Sequence, residues 1–127
     1  MMLRWLPVVL WIAVILGLSS IPSPGPSRQL FPGIDKLVHM GEYSVLGFLF
    51  ARAIRVPLWA AWRAVLPAAM FGLLIGSADE SYQMSVPGRD SDLLDVAADV
   101  IGASLGGLFW LRWQRRSATT EDVQRRP

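Results

Sequence analysis

Four apolar stretches, each close to the length that crosses a bilayer, divide this chain of 127 residues. The first, Trp5 to Ile21, carries no charge and ends before Pro22, Pro24, Gly25 and Pro26, which cannot continue a helix. The second runs from about Lys36 to Ile54, the third from about Ala60 to Ala78, and the fourth from Leu93 to Trp113. At ~1.5 Å of rise per residue each approaches a hydrocarbon thickness of ~30 Å, the first being the shortest. With 53% hydrophobic and 17% charged residues and a mean hydropathy of +0.40, the chain is too apolar for a small soluble domain. The expected fold is all-α: a polytopic membrane protein with four transmembrane helices. Glu42, Arg63 and Pro67 interrupt or flank the second and third stretches, so those boundaries shift by a few residues.

The arginines orient the helices. Arg4 precedes the first span, Arg52, Arg55 and Arg63 surround the connection between the second and third, and Arg112, Arg115 and Arg116 follow the fourth. The positive-inside bias makes these regions cytoplasmic, and both termini with them. Two loops are then outside: residues 22 to 35, with Arg28 and Asp35, and residues 79 to 92, with one arginine among Asp79, Glu80, Asp90 and Asp92. Trp5, Trp59, Trp62, Trp110 and Trp113 fall near the cytoplasmic ends, where indole rings favour the headgroup level, while Trp11 is mid-span. The domain expectation is a four-helix transmembrane domain over residues 1–113 and a disordered cytoplasmic tail over residues 114–127, which is polar and aperiodic. Arg4, the apolar core and the Ser19-Ser20 pair also have the three regions of a secretory signal peptide. The core is longer than most, and the sites after Leu18 and Ser20 match a small-x-small cleavage rule poorly, so a retained span is the reading.

The chain has no cysteine, which excludes disulfides, thiol redox motifs and cysteine-based zinc sites. The net charge of +2 comes largely from arginines beside apolar stretches and in the tail, which topology explains better than nucleic acid does. The expected partner is the lipid bilayer, with no nucleic acid.

The polar groups within the spans form stripes. Asp35, His39, Tyr43 and Gly47 recur every four residues, with Lys36 and Glu42 alongside. On the third helix Gly72 and Gly76 lead to Asp79, Glu80 and Gln83, and on the fourth Asp95 and Asp99 lead to Gly102 and Gly106. In each case acid or His lies toward the outside and glycine deeper. Gly72-x-x-x-Gly76 and Gly102-x-x-x-Gly106 let backbones approach closely in lipid, so the third and fourth helices are expected to cross there. Asp35, Asp90 and Asp92 read first as helix caps or solvated loop charges, Asp92 as an N-cap with Asp95 in the first turn. An acid as deep as Asp99 costs about +2.5 to +3.5 kcal/mol at a span centre, less near the interface, and needs a partner. Lys36, Arg89 and His39 face eight acids: Asp35, Glu42, Asp79, Glu80, Asp90, Asp92, Asp95 and Asp99. Either some acids stay protonated, or a cation, a proton or a basic ligand completes the site.

Four segments in order carry a family resemblance. Asp35-Lys36-x-x-His39-x-x-Glu42-Tyr43-x-x-Leu46-Gly47 is followed by Gly76-x-x-Asp79-Glu80-x-x-Gln83, by Pro87-Gly88-Arg89, and by Asp95-x-x-x-Asp99-x-x-Gly102-x-x-x-Gly106. Together, over roughly residues 32 to 110, they resemble the VanZ-like family of bacterial membrane proteins. The resemblance implies a helical membrane domain in the bacterial cytoplasmic membrane, with named members associated with low-level teicoplanin resistance, and it implies no reaction. By motif position it points to Asp35 and, as ligand-binding residues, to Lys36, His39, Glu42, Tyr43, Asp79, Glu80, Gln83, Arg89, Asp95 and Asp99. Asp99 departs from the pattern, which often has asparagine there; the added charge turns a neutral hydrogen-bonding position into an ionised or proton-carrying one.

Three functions are compatible with these residues. The first is an envelope protein whose outward polar site binds an envelope lipid headgroup, a cell-wall precursor or a partner protein. The second is a membrane-embedded enzyme acting on a lipid-linked or cell-wall substrate, with Glu80 or Asp99 as general base, His39 as acid or base, and Arg89 holding an anionic group; its catalytic candidates are His39, Glu80, Asp95 and Asp99. These carboxylates and the His are also of the type that ligates a divalent cation, in an order the sequence does not give. The third is a small proton-coupled transporter, which with four helices requires oligomerisation.

Overall fold

The computed structural model describes residues 2–22, 33–55 and 62–124. The described residues form four α-helices after a single 3₁₀ turn at Met2–Arg4, and no strand. They are α1 (Leu6–Ser19), α2 (Ile34–Ile54), α3 (Trp62–Gln83) and α4 (Leu93–Gln124). Trp59 and Arg28, both used in the topology argument, lie outside the described residues, as do residues 23–32.

Among the described residues one helix is long and apolar enough to cross a membrane, over Leu93–Thr119. The 14 residues of α1 are apolar but shorter, about 21 Å by the helical rise. At 21 and 22 residues α2 and α3 are long enough, but their polar and charged side chains dilute the apolarity.

α4 is the centre of the bundle, packed most extensively on α2 and then on α3, with α1 laid against α2 and α3. Small residues make this possible. A Cβ at Gly102 or Gly106 would run into the carbonyl oxygens of Met40 and Ser44 on α2, and one at Gly47 would run into the Ala103 backbone. The Gly102/Gly106 pair therefore faces α2, not α3 as expected. α3 approaches α4 through its own glycines: a Cβ at Gly72 would lie 2.6 Å from Ala103 Cβ, and one at Gly76 would lie 2.5 Å from Asp99 Oδ2. The seams are lined with Ala51, Ala64, Ala68 and Ala103, all fully buried, while Met70, Leu74 and Phe109 point outward at 64%, 65% and 58% exposure.

Toward the apolar end, Val8, Ile15, Tyr43, Leu46 and Ala53 form the main cluster, to which Trp11, Ile12, Leu49, Phe71 and Ile75 add. Phe50 stacks on Phe71 at 4.2 Å between ring centroids. Trp11, mid-span in α1, donates its indole N–H to the Glu42 carbonyl at 2.8 Å, which gives a polar group inside an apolar helix its partner.

Two helices run beyond their apolar stretches. α3 continues past Ala78 to Gln83, because Asp79, Glu80 and Gln83 are buried on the helix itself. α4 runs to Gln124, through residues for which disorder is expected. A helix already nucleated extends at little cost, no Gly or Pro intervenes before Pro127, and Ser117 and Thr119 bond back to the carbonyls of Trp113 and Arg115.

Candidate functional site

The polar ends of α2, α3 and α4 meet, together with the turn over residues 84–92. That turn is closed by Val86 N–H to the Gln83 carbonyl at 2.9 Å and Arg89 N–H to the Val86 carbonyl at 3.2 Å. Asp92 then caps α4, its Oδ1 accepting the Leu94 N–H at 2.8 Å, as its place before an apolar run predicts.

At the centre, His39 Nδ1 lies 3.0 Å from Asp99 Oδ1, linking α2 to α4. Asp99 is fully buried and His39 is 6% exposed. An ionised Asp99 only accepts, so Nδ1 then donates, and in the neutral imidazole Nε2 keeps its lone pair. One turn along α2, the Tyr43 ring lies almost parallel to the imidazole, 6.4 Å between centroids, fully buried.

Lys36 gathers three carboxylates: Asp92 Oδ2 at 2.7 Å, Asp95 Oδ1 at 3.0 Å and Asp35 Oδ2 at 3.3 Å. The Lys36 ammonium, and then the Leu94 N–H, hold the Asp92 carboxyl below the usual carboxylate range. Asp92 also donates its own N–H to Glu80 Oε2 at 2.8 Å. The same residue thus caps α4, pairs with Lys36 on α2 and fixes Glu80 on α3. Asp92 and Asp35, read from sequence first as helix caps or solvated loop charges, join the site through Lys36, and for Asp92 this is a connection between helices that spacing along one helix cannot show.

A second group braces α1. Asp79 Oδ2 accepts from Ser19 Oγ at 2.8 Å and from Gln83 Nε2 at 3.0 Å. Arg89 donates to the Leu18 carbonyl at 3.2 Å, the Ile21 carbonyl at 3.1 Å and Gln83 Oε1 at 3.3 Å, so it caps the C-terminal end of α1 and uses three of its five N–H groups. Ser19 belongs to this network; in the sequence it marks the end of an apolar run and a candidate cleavage region, not a member of the polar site.

Between the two groups opens a cavity of about 580 Å³, lined by Ser19, Ile21, His39, Glu42, Gln83, Arg89, Asp92 and Asp95 among others. Glu42 is half-buried in its wall. All ten residues singled out in sequence stand at this end of the bundle. His39, Glu42, Gln83, Arg89 and Asp95 reach the cavity, while Lys36, Tyr43, Asp79, Glu80 and Asp99 are absent from its lining and sit behind or beside it. Among the described residues His39, Glu80 and Asp95 are the group whose ligating atoms come close enough to share a metal ion, one atom from each lying within 4.8 Å of the others. Buried oxygens of Asp79, Glu80 and Asp99 each lack a hydrogen-bond partner among the described residues.

No curated protein and no solved structure is detectably similar to the chain. The family model described as VanZ/LLP1 matches residues 4–114, a span that holds all four helices up to the last turns of α4 and every residue of the cluster. The chain belongs to the VanZ-like family.

Proposed function

We propose that the chain is a multi-pass protein of the bacterial cytoplasmic membrane, with four spans over residues 1–113 and both termini cytoplasmic, whose outer cavity binds an envelope lipid headgroup or cell-wall precursor. The distribution of residues supports the spans: large apolar side chains point outward on α3 and α4, while His39, Asp79, Glu80 and Asp99 are inside, the inverse of a water-soluble bundle. An apolar exterior over helices that satisfy their own backbone is what lipid requires.

The observation that carries the binding reading is the cavity itself, about 580 Å³, with a guanidinium on one wall and carboxylates on the others. Arg89 keeps two N–H groups beyond its three bonds to α1 and Gln83, enough to hold a phosphate oxygen. Glu42, Asp92 and Asp95 supply acceptors for a cationic or hydrogen-bond-donating part. A headgroup carrying both, such as phosphoethanolamine, fits this lining better than a bare anion. In detergent micelles, short-chain phosphatidylethanolamine should raise the melting temperature of the protein more than short-chain phosphatidylglycerol. Glu42→Gln, which removes a wall carboxylate, should reduce that preference. Equal shifts for both lipids, or none, would sink the reading. Teicoplanin resistance, a property of particular family members, comes to this chain only as a consequence of such binding.

A second reading, a membrane-embedded enzyme, is favoured by the His39–Asp99 pair. A buried carboxylate bonded to Nδ1 orients an imidazole so that Nε2 can take or give a proton. On this reading Glu80→Gln abolishes turnover of a lipid-linked substrate and leaves folding and ligand affinity nearly intact.

A further inference from the structure

The geometry points to a divalent transition-metal site, of zinc type, formed by His39, Glu80 and Asp95, one ligand from each of α2, α3 and α4. It stands independently of the headgroup reading. All three residues are buried, at 6%, 3% and 7% exposure. One ligating atom from each lies within 4.8 Å of the others. Ligands about 2.0–2.2 Å from a tetrahedral ion sit about 3.3–3.6 Å apart, so closing from within 4.8 Å asks for changes in separation of about 1.5 Å or less, within reach of side-chain rotation.

Two further observations point to a ligand at this place. Glu80 accepts the Asp92 N–H through Oε2, which fixes the carboxylate, yet its buried Oε1 has no partner among the described residues. His39 is bonded to Asp99 through Nδ1, which leaves Nε2 for an ion. A carboxylate behind a ligating histidine is the usual outer support of a metal-bound imidazole, fixing its tautomer and raising its basicity. Asp95 binds Lys36 through Oδ1 and keeps Oδ2.

Charge and chemistry agree. Two carboxylates with a neutral imidazole neutralise a divalent ion, which answers the surplus of acids at this end. One nitrogen and two oxygen ligands suit zinc or a neighbouring first-row ion better than magnesium or calcium, which favour all-oxygen sites. Three protein ligands leave a position open. His39 and Asp95 both border the cavity, so that position is available to a molecule within it.

The test is zinc itself. The full chain, freed of metal with a chelator in detergent micelles, is titrated with Zn²⁺ against a chromophoric competitor. One ion per chain is expected. Asp99→Asn, which keeps the shape but alters the support, should weaken binding about 10–100-fold, and His39→Ala and Glu80→Gln should weaken it further. X-ray absorption of the loaded wild-type protein should show one imidazole and oxygen ligands. That measurement stands even if a variant fails to fold. No uptake by the wild-type chain, a coordination shell without imidazole, or unchanged affinity in folded His39→Ala and Glu80→Gln overturns the site. Repeating the phospholipid shifts with chelator separates the two proposals. Zinc uptake without a phosphatidylethanolamine preference overturns only the headgroup reading, and that preference in a chain that takes up no zinc overturns only the metal site.

Discussion

Gly76 has no side chain to offer the site, yet its packing against Asp99 makes it a control point there. A Cβ added there would stand 2.5 Å from Asp99 Oδ2, 3.1 Å from Asp99 Cβ and 3.2 Å from Asp99 Cγ. Ordinary contact begins near 3.4 Å, so the carboxylate oxygen must give by about 0.9 Å and the Asp99 stem by a few tenths. The bond from the other oxygen to His39 Nδ1 is 3.0 Å long and is lost once it lengthens by about 0.5 Å. Overpacking of this kind costs about 1–3 kcal/mol. Loss of a buried hydrogen bond adds about 1 kcal/mol. Replacing a mid-helix glycine returns about 0.5–1 kcal/mol. Gly76→Ala should therefore destabilise by about 1–3 kcal/mol, measured by equilibrium unfolding in mixed micelles. His39 is the single histidine of the chain, so its imidazole ¹⁵N signals need no assignment. They should show Nδ1 losing its carboxylate partner in the variant. A Gly76→Ala protein of unchanged stability with unchanged imidazole signals would refute the close packing of α3 on Asp99.

Other outcomes follow from the same packing and topology. Gly106→Val drives a branched side chain into the Ser44 carbonyl and the Phe48 N–H region of α2, whose backbone cannot rotate away, so it should cost at least about 3 kcal/mol in the same unfolding assay. Ser85→Cys should react with an impermeant maleimide applied to intact cells, and Ser117→Cys only after lysis, since the chain has no native cysteine to confuse the labelling. Asp92 has a carboxyl depressed by Lys36, so the stability its ion pair contributes is present above the ordinary Asp value of 3.8 and is lost as pH falls through its lower folded value. The stability gap between wild type and Asp92→Asn should accordingly hold steady from neutral pH to about that value and close only below it.

How far the fold can be read from sequence depends on what ends each helix. α4 begins at Leu93 as expected, because an N-cap aspartate before an apolar run is a local signal. α2 ends at Ile54 as expected, where apolar residues give way to Arg55. The end of α3 is given by two signals that disagree: apolarity stops at Ala78, while the spacing from Gly76 to Asp79, Glu80 and Gln83 carries the helix on, and the helix follows the spacing. The glycine stripes show which faces come close but not which helix fills them, and so Gly102 and Gly106 turn out to meet α2. The residues gathered at the polar end were legible from their periodicity. Their division into a Lys36–His39–Asp99 group and an Asp79–Gln83–Arg89 brace on α1 was not, since it rests on Ser19, two α1 carbonyls and the path of the turn between α3 and α4.

The acids and the glycines of these helices are a single device. A carboxylate in lipid is tolerated only where protein groups replace water, and that demands backbones close enough to shut water and acyl chains out. Gly72 and Gly76 bring α3 onto α4, Gly102 and Gly106 bring α2 onto it from another side, and Asp99 ends fully buried between them with His39 as its partner. A bundle selected for stability alone would do better with the same seams filled by apolar residues, since buried charges rarely repay their desolvation. Keeping Glu80 and Asp99 inside, each with a carboxylate oxygen that no described residue satisfies, makes sense when something else engages those oxygens. An ion between His39, Glu80 and Asp95 would engage the unpartnered Glu80 oxygen directly, and would act on Asp99 only through the imidazole bonded to Oδ1. If Glu80 served only to accept the Asp92 N–H, Glu80→Leu would destabilise the bundle by stranding that donor and Glu80→Gln would leave zinc uptake unchanged; as a ligand, Glu80 is replaceable by Gln only with weakened binding of the ion.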